Sequence, residues 1–266
     1  MPTPDMDASM PTTKDSGDPS PPRPEDVLVY AHSRDTLYSF SPSTLAVVEV
    51  GAFTLPGGEQ TEKILDLAIN HDGEMYVTGA TTLYRVDPAT AATTIVGTLD
   101  LSNSQKVEVT GLAFIPEGVF RTSETLIGAD NLGRVFEIDT HDARITALGN
   151  YPDDWLSSGD IVSVEDLGTY ATVKREGSEA DTLVRIIFDS QGIAGMNVIG
   201  SIKDGSTGYA RIYGLGYWGA ALYGFTADGT LIAIDTDTAK ATVVSVTTGA
   251  DEFWGAGVTT QAPVIL

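Results

Sequence analysis

Short runs of alternating apolar and polar residues recur along this chain, and each run ends in a tight turn. The clearest run reads Leu-Tyr-Arg-Val at residues 83–86, and Asp-Pro at 87–88 begins the turn. Such alternation is typical of a half-buried β-strand, and Asp-Pro favours turn formation. Similar runs followed by turns occur elsewhere, at residues 37–44, 135–140, 184–190 and 231–236.

The spacing of these runs predicts a repeat architecture. Their turns fall at residues 41, 87, 139, 189 and 235, which gives intervals of 46, 52, 50 and 46 residues. A period in this range is typical of propeller blades. The unit at residues 64–99 contains four strand-like runs joined by short turns, as expected for one antiparallel blade.

The two ends of the repeat region complement each other. The first unit begins near residue 27 with a strand at 27–30 and a turn at 32–35, but it lacks an innermost strand, and residues 253–258 supply a matching run. Because an open ring of sheets would leave two reactive edges, we expect these ends to pair. The sequence therefore predicts an all-β fold, a five-bladed β-propeller of four-stranded blades spanning residues 26–266.

The repeats also resemble those of a known class of proteins. Gly-Leu-Ala-Phe at residues 111–114 and Leu-Tyr-Arg-Val-Asp-Pro-Ala-Thr at 83–90 are similar to motifs of bacterial β-propellers, such as the lactonase-like and NHL-like propellers. The similarity covers residues 27–260. It implies the propeller fold but no single activity, because hydrolases, lyases, lectins and scaffolds share this architecture.

Composition narrows the range of partners. The 266 residues carry a formal net charge of −22. Such a surface repels phosphate backbones and anionic lipids, so we expect no nucleic-acid binding and no direct membrane insertion. The charge favours a cationic ligand, a metal ion or solubility at high salt. The absence of cysteine excludes disulfides, thiol catalysis and Cys-ligated zinc.

The N-terminal segment differs in composition from the repeats. Residues 1–25 contain seven of the 13 prolines, separated mainly by Asp, Ser and Thr. Such a segment has too little apolar surface to fold, so we predict a disordered tether, or a tail without function. It is similar to the linkers of envelope lipoproteins. This similarity favours an extracytoplasmic location, periplasmic or at the cell surface, with a lipid anchor in the precursor.

Aromatic and acidic residues are concentrated in the loops that lead into the innermost strands. In a propeller these loops share one face, here named the top face, with the turns between second and third strands. Aromatic rings beside carboxylates suit a sugar ring or a cationic group, although they can also simply fill the channel mouth. The candidate ligand-binding residues are Asp154, Trp155, Tyr209, Arg211, Tyr213, Glu252 and Trp254.

Asp66 and Asp160 occupy equivalent positions in their innermost strands. The other three units have glycine there, at Gly111, Gly214 and Gly255. Two carboxylates near one axis could hold Ca²⁺, the one cofactor that the sequence indicates. They could instead accept hydrogen bonds from free backbone N–H groups, or act as acid and base in glycoside cleavage.

The histidines give no support to a shared catalytic or zinc site. His71 and His141 fall in turns on the face opposite His32, which argues against a zinc centre and a Ser-His-Asp hydrolase.

These observations favour a non-catalytic, monomeric propeller. We predict that its top face and axial channel bind a small molecule, a carbohydrate or a protein partner. Two alternatives remain open. One is a Ca²⁺-assisted hydrolase or lyase of the lactonase-like kind, with Asp66, Asp160 and Glu108 at its centre. The other is a scaffold within an envelope protein complex.

Overall fold

The fold was analysed in a computed structural model, which describes residues 27–57, 62–101, 107–245 and 248–264. The proposed tether at residues 1–25 lies outside these ranges, as do parts of three loops that lead into innermost strands. The described residues form strands and turns without a helix. Consequently no helix in these ranges is long and apolar enough to cross a membrane.

Twenty of the strands form five four-stranded antiparallel sheets, as the sequence predicted. From the innermost strand outwards, blade 1 contains β22 (Gly255–Gly257), β1 (Val29–His32), β2 (Thr36–Ser41) and β3 (Ala46–Ala52). Blade 2 contains β4 (Asp66–Ile69), β5 (Met75–Thr78), β6 (Thr82–Val86) and β7 (Thr93–Thr98). Blade 3 contains β8 (Gly111–Ile115), β9 (Thr125–Ala129), β10 (Arg134–Ile138) and β11 (Ile145–Asn150).

The last two blades follow the same plan. Blade 4 contains β12 (Leu156–Val164), β13 (Gly168–Lys174), β14 (Thr182–Asp189) and β15 (Gly192–Ser201). Blade 5 contains β18 (Ile212–Trp218), β19 (Ala221–Thr226), β20 (Leu231–Ile234) and β21 (Ala241–Ser245). A small hairpin, β16 (Lys203–Asp204) with β17 (Thr207–Gly208), connects the two blades.

The ring closes through the pairing of the two ends of the chain. β22 pairs antiparallel with β1, and Gly257 faces Tyr30 while Gly255 faces His32. The Trp254 N–H donates to the His32 carbonyl at 2.8 Å. The predicted closure is therefore confirmed. One boundary is different: β1 continues through His32, where the sequence predicted a turn, because pairing with β22 extends the strand.

Burial follows the position of each strand within its blade. Every residue of the inner strand β8 is buried, whereas the outer strand β7 exposes part of its length. The faces of each blade are covered by its neighbours, so inner strands lack the alternation of a one-sided sheet. Aromatic rings fill the space between blades 5 and 1, where Phe225 packs edge-on against Phe253 with ring centroids 5.1 Å apart.

The repeated turn motif has a common physical basis. In four blades the Asp that ends the third strand accepts an N–H bond from two residues further on, as Asp87 does from Ala89 at 2.9 Å. This local side-chain bond stabilises the turn and favours Asp there. The N–H donors lower the pKa of the Asp87 carboxyl. These turns lie on the face opposite the top face, here named the bottom face.

The chain after β22 crosses the bottom face. The Thr259 hydroxyl donates to the Asn70 carbonyl at 3.0 Å in blade 2. The Thr260 carbonyl accepts the Glu165 N–H in blade 4, and the Pro263 carbonyl accepts the Gly219 N–H in blade 5, both at 2.8 Å. The segment 259–264 thus links several blades and covers the bottom end of the axis.

Candidate functional site

A cavity opens on the top face at the axis of the propeller. Its volume is about 370 Å³, and each blade contributes to its wall the residue immediately before its axial Asp or Gly. These five residues are Trp254, Leu65, Thr110, Gly159 and Tyr213. Because equivalent strand positions meet at the axis, residues far apart in sequence form one wall. We call this space the mouth cavity.

Four further residues complete the wall. Ser157 and Ser158 come from the irregular start of β12, where the register with β13 shifts between Ser157 and Ile161. Asn131 comes from the turn that follows the second strand of blade 3, and Lys174 is the last residue of the second strand of blade 4. Ser157 Oγ donates to the Gly159 carbonyl at 3.1 Å. Ser158 Oγ, by contrast, is buried without a hydrogen-bond partner among the described residues.

Trp254 is held in place by the closure of the ring. Its backbone N–H is bonded to His32, so the position of its ring depends on the pairing of β22 with β1. The Lys63 ammonium lies 5.2 Å from the centroid of the indole. The side chain is half-buried, which leaves part of the ring available to a ligand.

The structure brings together two of the seven candidate ligand-binding residues. Trp254 and Tyr213 share the mouth cavity, and the other five lie outside its wall. Trp155 stacks with the Arg175 guanidinium, 4.3 Å from its ring centroid. Asp154 and Arg211 are exposed, while Tyr209 and Glu252 are half-buried. Whether these five contact a ligand stays a prediction.

Asp66 and Asp160 are fully buried at the level just below the mouth cavity. Asp66 Oδ1 accepts the N–H of Leu67 at 2.8 Å, and its Oδ2 accepts the N–H of Leu112, in the next blade, at 2.6 Å. Asp160 repeats the arrangement two blades further on. It accepts the N–H groups of Ile161 and Leu215, both at 2.6 Å.

Each carboxyl therefore ties its own innermost strand to that of the following blade. This geometry agrees with the N–H-capping role considered from the sequence. Without these acceptors the four axial N–H groups would be buried and unpaired, which proteins avoid.

The two carboxyls also interact with each other. Burial raises the pKa of Asp66 well above its ordinary value, and the charge of Asp160 and a hydrogen bond to it add to this effect. Burial likewise raises the pKa of Asp160, to about 8, although the hydrogen bond from Asp66 and backbone N–H donors oppose the rise. Two buried like charges in contact do not both ionise, so the pair retains a proton near neutral pH.

The predicted Ca²⁺ site can be compared with this geometry. Ca²⁺ requires six to eight oxygen ligands, and all four oxygens of Asp66 and Asp160 accept N–H bonds. In the ranges that the structure describes, no three His, Cys, Asp or Glu residues are grouped closely enough to hold a metal. Glu108, the third residue of the proposed hydrolase site, is exposed. Calcium binding stays a prediction.

His32 is a site residue that the sequence did not identify. Its Nδ1 donates to the Ser33 carbonyl at 2.7 Å, and its Nε2 is buried without a partner among the described residues. Burial lowers the pKa of His32 to about 4, so the ring is neutral. A Cβ on Gly255 would stand less than 3.0 Å from both His32 Nε2 and Asp66 Oδ1. His32 therefore lies beside the carboxyl pair, a contact created only by ring closure.

Comparisons with known proteins find only distant structural likeness. No protein-family model matches this chain, and no curated protein does. Among solved structures, it is similar to a protein of unknown function from Bacteroides caccae, with 8% identity, a TM-score of 0.49 and coverage of 87% of this chain and 98% of that chain. It is also similar to an auxiliary nutrient binding protein from Bacteroides thetaiotaomicron, with 12% identity, a TM-score of 0.48 and coverage of 81% and 53%.

BamB from Moraxella catarrhalis is a further match, with 12% identity, a TM-score of 0.37 and coverage of 80% of this chain and 70% of that chain. At these identities and TM-scores, the matches assign neither a family nor a function.

Proposed function

We propose that the protein is a non-catalytic binding propeller whose mouth cavity takes one small polar ligand of the size of a sugar ring. The observation that carries this proposal is the convergence of all five blades on one cavity of about 370 Å³. Small-molecule sites are concave, have volumes from about 300 Å³ upwards, and combine apolar surface with a few polar groups. The mouth cavity has this composition.

The wall residues match the surface of a pyranose. Trp254 offers an aromatic face, against which the C–H side of a sugar ring packs. Around it, Thr110, Ser158, Tyr213 and Asn131 offer hydroxyl and amide groups that can exchange hydrogen bonds with ring hydroxyls.

The state of the two axial carboxyls supports a binding role without catalysis. A general acid or base must reach its substrate within hydrogen-bond distance. Asp66 and Asp160 are fully buried, and their oxygens are occupied by backbone N–H groups. These carboxyls therefore stabilise the ring of blades beneath the ligand.

We further propose an extracytoplasmic location, in which the segment 1–25 tethers the propeller. The Pro-rich composition of that segment supports this part of the proposal. Fractionation of cells that express the natural precursor tests it, because recovery in the cytoplasm would contradict the proposed location.

The binding proposal is tested with D-glucose as the probe, in saturation-transfer NMR titrations. W254A removes the aromatic face and is expected to weaken glucose binding about fivefold or more, since stacking contributes about 1 kcal/mol beyond area burial. W155A tests the other tryptophan predicted from the sequence. It is expected to bind glucose like wild type if the ligand occupies the mouth cavity, because Trp155 stacks with Arg175 outside the cavity wall. Circular dichroism of both variants checks the fold. Equal affinities of W254A and wild type would refute the placement of the ligand.

A further inference from the structure

The wall of the mouth cavity has a charge opposite in sign to that of the whole protein. The chain carries a net charge of −22, but none of the described residues that line the cavity is Asp or Glu. Its one charged wall residue is Lys174, and the other polar wall residues are neutral. The hydroxyl and amide groups of this wall can donate hydrogen bonds to an anion, and Lys174 adds a positive charge.

The charge of Lys174 is available to a ligand. Lys174 ends β13 opposite Leu156 of β12, and its side chain is exposed. Among the described residues, no carboxylate lies within ion-pair distance of it. Its charge does act on the buried carboxyl of Asp181, whose pKa burial raises to about 6. Asp181 Oδ2, however, already accepts the Ile212 N–H at 2.9 Å.

Ser158 supplies a second polar group that a ligand could contact. Its side chain is only 4% exposed and lines the cavity. Its Oγ acts on the Asp181 carboxyl, whose pKa it lowers, but it makes no hydrogen bond of good geometry. A buried hydroxyl without a partner is costly and is rare in native proteins. A ligand oxygen in the mouth cavity would give Ser158 Oγ a partner of better geometry than Asp181.

The floor of the cavity does not oppose an anion strongly. Asp66 and Asp160 retain a proton between them and accept four backbone N–H bonds. The four N–H donors thus stabilise the remaining negative charge of the pair. Exposed acidic residues elsewhere act over longer distances, and salt screens them beyond about 10 Å at 0.1 M.

We propose that the mouth cavity selects a hydroxylated pyranose that bears one carboxylate, with Lys174 bound to the carboxylate and Trp254 against the ring. This inference rests on the proposed function and specifies the ligand class of the same site. It reverses the preference for cations that the net charge alone suggests. A charge-assisted bond is about twice as strong as a neutral one, so the carboxylate is expected to dominate selectivity.

Three probes with one ring shape and different charges test this inference. D-glucuronate, D-glucose and D-glucosamine are titrated separately against the full chain near neutral pH. Glucuronate is expected to bind about tenfold more tightly than glucose, since a hydrogen bond to a charged group contributes about 1.5 kcal/mol or more. Glucosamine is expected to bind most weakly, because Lys174 repels a cationic ligand throughout so small a cavity, whichever ring position carries the ammonium.

Single substitutions of lysine then identify which residue recognises the carboxylate of the ligand. K174Q keeps much of the side-chain length and is expected to remove the preference for glucuronate while leaving glucose affinity nearly unchanged. K174R is expected to restore the preference. K203Q is the matched control, because Lys203 lies in the hairpin β16–β17 and does not line the mouth cavity.

The outcomes separate this inference from the proposed function. If glucose binds in a Trp254-dependent manner but glucuronate binds no more tightly, or if K174Q keeps the preference, the selectivity for anions is refuted and the binding role stands. If none of the three sugars binds to the wild-type protein, both the proposed function and this inference are overturned.

Discussion

Asp66 accepts the backbone N–H of Leu112 at 2.6 Å, across the boundary between blades 2 and 3. The bond lies next to the axis and is fully buried. Asp160 makes the equivalent bond to Leu215, between blades 4 and 5. Adjacent blades are thus joined by side-chain acceptors near the axis, in addition to the packing of their apolar faces.

Removing the Asp66 carboxyl should destabilise the propeller. In D66A the N–H groups of Leu67 and Leu112 lose their acceptor, and an unsatisfied buried donor costs about 1–3 kcal/mol. We expect a loss of about 2 kcal/mol in the free energy of unfolding, because relief from burying the carboxyl offsets part of the penalty. Urea denaturation measures this loss. D204A, at an exposed position in β16, is the control and should unfold like wild type.

The carboxyl pair should make stability depend on pH. Since the folded-state pKa of both groups is raised, the folded protein holds protons that the unfolded chain releases above about pH 4. Stability should therefore fall as pH rises from about 4 towards 8. His32 acts in the opposite direction below pH 6.5, because its pKa is lowered to about 4. The window from pH 6.5 to about 8 isolates the pair from His32.

The measurement is the melting temperature across that window. His71 must be replaced first, because its hydrogen bond with Glu124 raises its pKa. A histidine with a raised pKa also makes stability fall as pH increases. In an H71Q background the melting temperature should fall between pH 6.5 and 8. Adding D66N and D160N should abolish this decrease. A slope that persists in the triple variant would show that other groups cause it.

The close approach of β22 to β4 should make Gly255 intolerant of a side chain. A Cβ there would stand less than 3.0 Å from Asp66 Oδ1, the Asp66 Cα and His32 Nε2. Overpacking of this kind costs about 1–3 kcal/mol, and here it also separates the strand that closes the ring. G255A should therefore melt at a clearly lower temperature than wild type. G195A is the control, since the nearest atom to its added Cβ is 4.0 Å away, and equal melting of the two variants would contradict the predicted effect.

Chelation should distinguish the binding propeller from the Ca²⁺-assisted alternative. The oxygens of Asp66 and Asp160 already accept N–H bonds, so we expect EDTA to leave the melting temperature unchanged. A ligand that binds only the folded state raises stability in proportion to the logarithm of its concentration. A calcium-dependent rise in melting temperature, lost in D66N, would therefore favour the hydrolase or lyase.

Repetition in the sequence was sufficient to predict the scaffold. The Asp turns at residues 87, 139, 189 and 235, and the strands that precede them, depend on local chemistry. An open array of blades would have an unpaired strand edge at each end. The sequence therefore predicted that the two ends pair, as residues 255–257 do with β1. The equivalence of Asp66 and Asp160 with three glycines was also visible, because repeats align without coordinates.

Tertiary structure alone decided which residues form the site. Tyr213 and Trp254 line one cavity only because five strand ends meet at the axis, and Lys174 and Ser158 join them through blade 4. His32 and Asp66 come near each other only because both lie close to Gly255 in the strand that closes the ring. Net charge is a sum over the whole chain, whereas a ligand responds to the few groups within reach. The sequence thus determined the ring of blades, and the convergence of the blades determined the chemistry at its centre.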